Sequence, residues 1–261
     1  MDIFHVDAFA SSVFGGNPAA VCFLDHPYDA EWMQNMAREL NLPATVFVRE
    51  NGARELRWFA PRAELELCGH GTLAAAHVLW DTGRLRRDQT AQFETRNGRL
   101  SAAQRDGWIE MDFPATPDEA APAPPGLAEA LRATPKYVGR SKFDYVVELE
   151  DEETVRDLNP DFHCLRSIRT RGVIVTSRAT SGDADFVSRF FAPSVGIDED
   201  QVTGSAHCCL TPFWSRRLGT ARLVARQLSA RGGVLKVTLE GDRVRLAGQA
   251  VTVMRGELLT R

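Results

Sequence analysis

The chain is written twice. Leu56-Arg57-Trp58-Phe59-Ala60-Pro61 in the first half returns as Ser188-Arg189-Phe190-Phe191-Ala192-Pro193 in the second. Each Phe-Ala-Pro leads through a short stretch with acidic residues into a glycine turn and then an apolar run. The first is Gly69-His70-Gly71-Thr72 on to Trp80, the second Thr203-Gly204-Ser205-Ala206 on to Trp214. Phe59 and Phe191 lie 132 residues apart, and Trp80 and Trp214 lie 134 apart. Farther on, Gly98 and Gly233 are 135 apart, and each opens an alternating segment that turns at Gly/Asp and comes back. The turns are Arg105-Asp106-Gly107 and Glu240-Gly241-Asp242, the pattern of a β-hairpin. One such landmark is weak. Together, at an offset of about half the chain, they restrict the fold to two similar halves.

Residues 116–126 are rich in Pro and Ala (Pro117, Pro122, Pro124, Pro125, then Gly126). Proline cannot donate to a strand ladder, so this stretch is expected to link an N-terminal half, 1–115, to a C-terminal half, 127–249. The last segment, about 250–261, reads as a strand from Ala250 to Met254 that could pair with either half and so complete the N-terminal one. Further strands are expected over Ile3 to Ala8, Ala19 to Leu24, Thr45 to Arg49, Glu55 to Phe59, Tyr145 to Leu149, Gly172 to Thr176 and Asp185 to Phe191. Helices are expected over Ala30 to Leu40, Thr72 to Asp81, Gly126 to Leu131 and Ser205 to Leu218. The two glycine-led helices are apolar nearly all round, as in Leu73-Ala74-Ala75-Ala76-His77-Val78-Leu79-Trp80. A helix with no polar face is buried on every side. The expected architecture is therefore α+β, each half wrapping its strands around one central helix.

Bulk properties narrow the function. Among 261 residues, 44% are hydrophobic and 25% charged, which suffices for a full core. The net charge of -4 comes without any Lys/Arg-rich run, so neither nucleic acid nor a membrane surface is an expected partner. The N-terminus shows no basic region followed by an apolar stretch, and no apolar run is long enough to span a bilayer. The five cysteines, Cys22, Cys68, Cys164, Cys208 and Cys209, are odd in number and form no C-x-x-C pair. A disulfide framework or zinc ribbon is not expected, and a reduced, cytoplasmic protein is. Gly15-Gly16-Asn17-Pro18 lacks the G-x-G-x-x-G spacing and precedes a strand-like run, so it reads as a turn rather than a dinucleotide fingerprint. The sequence contains no P-loop, nucleophile elbow or zincin motif.

If a pseudo-twofold relates the halves, the two central helices start at equivalent places and face one cleft. Helix starts offer unpaired N–H groups and a partial positive charge, and glycines admit close approach. Such a cleft suits a small carboxylate or an oxyanion formed in reaction. Gly69, Gly71, Thr72, Thr203 and Gly204 are the expected substrate contacts. Proton transfer would fall to His70 at the first start, and to Asp200 and Ser205 at the second. Each residue alone is more often structural, but their equivalent positions favour the site reading. Cys68 stands beside His70 as a possible thiol base, with a buried apolar role the commoner one for free cysteine. His77, His207 and Cys208, deeper in the helices, read as packing, and Arg62, Glu64 and Glu66 as a solvated edge.

These stretches, with Phe14 through Val21, Leu67 through Ala75, Val202 through His207 and Gln227 through Gly233, resemble the PhzF-like (phenazine-biosynthesis-like) isomerase family over nearly the whole chain. The resemblance implies the diaminopimelate-epimerase-like fold, a homodimer, and isomerase chemistry with no metal or organic cofactor. The type reaction is a proton shift beside a carboxylate-bearing ring. His70, Asp200 and Ser205 match the family's active-site His, Asp and Ser. Two departures stand out. Ala44 occupies the place of the family's principal acid/base glutamate, whose kind of catalysis typically contributes ~10²–10⁴-fold. Gln201 replaces a common proline after the aspartate. Three accounts of Ala44 stay open: a different reaction through Asp200, His70 or Cys68; a binding protein without catalysis; or a substitution introduced into the chain. A cysteine-dependent racemase or epimerase is the alternative enzyme, because Cys68-Gly69-His70-Gly71 resembles the first thiol motif of those relatives. Residues 200–204 supply no second thiol.

Overall fold

The computed structural model describes residues 1–180 and 182–259. The chain divides into two compact units, Met1–Asp112 together with the segment from Ala247 onward, and Phe113–Leu246.

The first unit opens with β1 (Asp2–Ala8) and β2 (Asn17–Leu24), an antiparallel pair. The turn between them is tight. Gly16 has φ +64, and a Cβ there would lie 2.1 Å from the Ala8 carbonyl oxygen, so glycine is required. Helix α1 (Ala30–Leu40) follows, started by Asp29, whose carboxylate accepts from the Trp32 N–H at 2.7 Å, and ended by Asn41 in the left-handed region. It carries the chain to β3 (Ala44–Asn51), parallel to β2, and buries Met33 and Ala37 against Phe47. Parallel strands require such a crossover. Next come β4 (Ala53–Phe59), antiparallel to β3, the two-residue β5 (Glu64–Leu65) and helix α2 (Gly69–Asp81). Strand β6 (Ala91–Thr95) lies parallel to β4, and β7 (Gly98–Arg105) and β8 (Trp108–Pro114) form the expected hairpin. Its two-residue turn holds Asp106 and Gly107 at φ 49 and 77, the handedness that matches strand twist.

The second unit repeats this order. Strands β9 (Glu119–Ala120), β10 (Tyr137–Arg140) and β11 (Asp144–Glu148) are antiparallel neighbours, with helix α3 (Leu127–Leu131) between β9 and β10 in sequence. Helices α4 (Glu152–Arg156) and α5 (Phe162–Arg166) lead to β12 (Gly172–Arg178), parallel to β11 as β3 is to β2. Strand β13 (Phe186–Ala192) is antiparallel to β12 and β14 (Ile197–Asp200) antiparallel to β13; helix α6 (Gly204–Leu218) comes next. Strand β15 (Arg222–Gln227) is parallel to β13, and β16 (Gly233–Glu240) and β17 (Arg243–Gly248) make the second hairpin. Strand β18 (Ala250–Glu257) returns to the first unit and pairs antiparallel with β1, so the terminal strand joins the N-terminal half. Residues 260 and 261, the end of that segment, lie outside the described residues.

Both central helices are buried as their composition requires. In α2, Leu73, Val78, Leu79 and Trp80 are at most 4% exposed, each contributing roughly 1.5–3 kcal/mol of burial. Its neighbours are β1, β2, β3, β7 and β18. Helix α6 buries the residues from Ala206 to Ser215; Ser205 in its first turn is half-buried, and the last turn is exposed at Arg216 and Arg217, which suit the dipole. Two local expectations change. The Pro/Ala-rich stretch 116–126 contains β9, which pairs with β10, and its Asp118 is buried, accepting from Tyr137 Oη and Arg216 Nη2 at 2.7 Å each. Proline is admissible there because β9 is short and flanked by loop. Glu64 is an ion-pair hub and not a solvated edge, meeting Arg57 at 2.8 Å and Arg96 at 2.7 Å.

Candidate active site

Helix α2 begins at Gly69, three residues before the sequence-based expectation, because Cys68 caps it. Cys68 is extended (φ -140), and its Sγ accepts from the Gly71 N–H at 3.3 Å. Thr72 Oγ1 donates back to the Cys68 carbonyl at 2.7 Å. His70 follows the cap, 9% exposed, with Nδ1 3.5 Å from Asn17 Nδ2 and 3.6 Å from Cys68 Sγ. The Asn17 amide N–H can only donate, and this contact favours the neutral tautomer with Nδ1 as acceptor and the ring proton on Nε2. The required Gly16 turn thus has a second consequence: it delivers Asn17 to the histidine.

Gly71 is explained by packing. A Cβ there would meet Cys68 Sγ at 2.9 Å, Val46 Cγ2 at 2.9 Å and Trp58 Cδ1 at 3.0 Å. Its missing side chain lets the first turn of α2 press against β3 and β4. Thr72 is fully buried, its hydroxyl bound to the cap. Ala44, the first residue of β3, is also fully buried. Strand alternation puts it on the same face as Val46, the face that covers the start of α2. A longer side chain at 44 would extend along the side of β3 where Cys68 and Gly71 lie.

The second start is built differently. Asp200 ends β14, and Thr203 caps α6. Thr203 Oγ1 donates to Asp200 Oδ2 at 2.6 Å, fixing one carboxylate oxygen. Gln227, 1% exposed on β15, clamps the loop: its Oε1 accepts from the Thr203 N–H at 2.9 Å and its Nε2 donates to the Asp200 carbonyl at 2.7 Å. Gln201 is held too, its carbonyl accepting from Ser229 Oγ at 2.7 Å and its side chain from the Arg231 N–H at 3.2 Å. His207 lies one turn inside α6, fully buried, with Nδ1 donating to the Thr203 carbonyl at 2.8 Å. Burial pushes its pKa down to about 4, so the ring is neutral at physiological pH. His77 in α2 is likewise lowered by burial, and its Nε2 lies 3.0 Å from Thr252 Oγ1.

Ser205, in the first turn of α6, accepts from Arg171 Nη2 at 3.1 Å. Arg171 Nε donates to Asp144 Oδ1 at 2.8 Å, and Nη2 donates to Oδ2 of the same buried carboxylate. The structure therefore gathers Cys68, Gly69, His70, Gly71 and Thr72 with Asn17 at the start of α2. It gathers Asp200, Thr203, Gly204 and Ser205 with Gln227 and Arg171 at the start of α6. No sequence signal marks Arg171 and Asp144, which lie 27 residues apart and have no counterpart in the repeated motifs. Asn17 follows Gly15 and Gly16 in the turn motif, and nothing in the sequence marks it as a partner of His70. Among the described residues no three His, Cys, Asp or Glu side chains are grouped as ligands for a metal ion, and no helix is long and apolar enough to cross a membrane. All five cysteines are free thiols.

The pattern of the PhzC-PhzF family, described as phenazine biosynthesis-like protein, matches residues 6–256. A protein of Halalkalibacterium halodurans named as an uncharacterized isomerase is 49% identical, over 98% of this chain and 98% of its own. The crystal structure of a phenazine biosynthesis protein of the PhzF family from Enterococcus faecalis superposes with a TM-score of 0.95 at 39% identity, covering 99% of both chains. That of a putative phenazine biosynthesis PhzC/PhzF protein from Clostridium difficile gives 0.93 at 39% identity, covering 100% of both. A probable proline racemase from Agrobacterium radiobacter shares the fold alone, with a TM-score of 0.65 at 12% identity over 100% of this chain and 93% of its own.

Proposed function

Because the chain belongs to the phenazine biosynthesis-like family, we propose that it is an isomerase that moves a proton at carbon in a small carboxylic acid. One observation carries the reading. Each central helix starts beside a side chain that can carry a proton: His70, oriented by Asn17 in the Cys68-capped turn of α2, and Asp200, held by Thr203 ahead of α6. Removing a proton next to a carboxylate creates an enolate-like oxyanion. Helix-start amides and the Ser205 hydroxyl are suited to receive that charge, because they are fixed before the reaction. Asp200 is held at Oδ2 by Thr203 just ahead of the helix start, and a carboxylate so positioned can take a proton as general base. His70, with its proton on Nε2, can return one as general acid. Ala44 has no group that transfers a proton, so on this reading the transfer falls to Asp200 and His70.

A second reading has its own support. Cys68 Sγ lies 3.6 Å from one His70 nitrogen and 3.8 Å from the other, an arrangement in which the imidazole can take the thiol proton. The chain would then be a thiol-based racemase or epimerase. Both readings are tested by incubating the protein in D₂O with the family's type substrate and a panel of amino and hydroxy acids, following loss of the carbon-bound proton by NMR. Deuterium wash-in that persists in Cys68→Ser supports the Asp200/His70 isomerase. Wash-in abolished by that substitution shifts the chemistry to the thiol. Silence of the native chain and of Ala44→Glu alike removes both in favour of a binding protein.

A further inference from the structure

We propose that Arg171 is a positioning residue that aims the Ser205 hydroxyl, and that Asp144 is the clamp that aims Arg171. This inference rests on the reading of Ser205 as a group that touches the substrate's anionic oxygen. A serine hydroxyl has one hydrogen to give and two lone pairs. Guanidinium has donors only, so at 3.1 Å Arg171 Nη2 occupies a lone pair of Ser205 Oγ and the serine hydrogen must point elsewhere. Ser205 Oγ donates to none of the described residues. Its hydrogen is thus left for an incoming acceptor. The adjacent cation also polarises the O–H, strengthening it as a donor to a carboxylate or enolate.

The arginine is built to do this one thing. Its Nε and Nη2 form two parallel bonds to Asp144, a carboxylate 2% exposed. Asp144 is itself held, its N–H donating to Ser141 Oγ at 3.2 Å and its carbonyl accepting from the Ser141 N–H at 2.9 Å. The rings of Phe143 and Phe190 lie 5.0 and 5.6 Å from the guanidinium carbon, so the plane is also held by stacking. Both residues sit at strand starts. Asp144 opens β11, Arg171 immediately precedes β12, and the parallel register pairs Asp144 with Gly172. Gly172 is obligatory here, since a Cβ would come within 2.3 Å of Phe190 Cζ and displace the ring beside the guanidinium. A purely structural ion pair needs no third partner. This one spends a further N–H on a residue in the first turn of α6.

The test is benzoate binding by titration calorimetry, with thermal melts as a folding control, for the native chain, R171M, S205A and the double variant. Losing a charge-assisted hydrogen bond weakens binding roughly tenfold or more. Benzoate affinity is expected to fall by about that factor in S205A and in R171M, while the double variant binds no more weakly than S205A, because Arg171 has nothing left to aim. R171K is expected to recover only part, since an ammonium reaches Asp144 or Ser205 but does not bridge them. It also serves if R171M does not fold. Native-like binding by R171M or R171K with weakened binding by S205A overturns the inference and leaves Ser205 in place. A further tenfold loss in the double variant overturns it as well. Native-like binding by S205A, or no benzoate binding by the native chain, overturns the underlying reading of Ser205 and the inference with it.

Discussion

Replacing Gln227 with leucine measures how firmly the start of α6 is held. The substitution keeps the volume of the side chain and deletes its polar atoms. Gln227 Oε1 is the partner of the Thr203 N–H at 2.9 Å; Nε2 serves the Asp200 carbonyl at 2.7 Å and reaches Thr203 Oγ1 at 3.3 Å. The side chain is 1% exposed and Thr203 6%, so water does not readily replace it. An orphaned buried donor costs ~1–3 kcal/mol and the half-buried carbonyl about 1 more, giving a loss of roughly 2–4 kcal/mol. For a chain of this size that lowers the melting midpoint by roughly 5–15 °C. Scanning calorimetry checks the midpoint, and hydrogen exchange read by mass spectrometry checks the locality: protection should fall in peptides spanning 200–205. A midpoint within about 2 °C of the native value, with unchanged exchange in that segment, refutes the clamp.

Gly71→Ala is expected to destabilise by roughly 1–3 kcal/mol, because Val46, Trp58 and Cys68 already stand where the methyl must go; urea unfolding measures it. Cys68→Ser should retain the cap of α2 and change stability by less than about 1 kcal/mol in the same experiment, since serine is a strong N-cap. His207 predicts a pH dependence. Its folded pKa of about 4 lies below the unfolded value near 6.5, so between those pH values only the unfolded chain gains the proton. Its contribution to stability is therefore full above the unfolded value and is lost as pH falls toward 4, an excursion of about 3 kcal/mol. Urea midpoints at pH 7, 5.5 and 4.5 should show a shallower slope in His207→Gln; an equal slope contradicts it.

The architecture was legible because a repeated motif leaves repeated landmarks. Phe59 ends β4 and Phe191 is the penultimate residue of β13, the strands that precede the short β5 and β14, and the apolar runs to Trp80 and Trp214 are the buried helices α2 and α6. The pairing of Ala19 with Ala44 and of Asp144 with Gly172 extends the correspondence to strands whose sequences show no similarity. The true start of α2 was not legible, because cysteine is not a residue one expects to cap a helix, and its role depends on a sulfur 3.3 Å from an amide. Strand β9, only Glu119–Ala120, is hidden by the prolines that flank it, Pro117 and Pro122. Of the candidate site, the glycine-led starts point to His70, Asp200 and Ser205, while the close approach of Cys68, Val46 and Trp58 to Gly71 shows only in the folded chain. Arg171 was invisible for another reason. Its partners Asp144 and Ser205 lie 27 and 34 residues away, and only the fold brings them together.

The most direct test of the central claim compares the native chain with Asp200→Asn in D₂O, using whichever panel acid exchanges its carbon-bound proton. Asparagine keeps an oxygen for Thr203 and preserves the loop, but it has no carboxylate to accept the proton. The account predicts deuterium incorporation by the native chain and a loss of roughly 10²-fold or more in the variant, with an unchanged melting midpoint. Native-rate exchange in Asp200→Asn contradicts it.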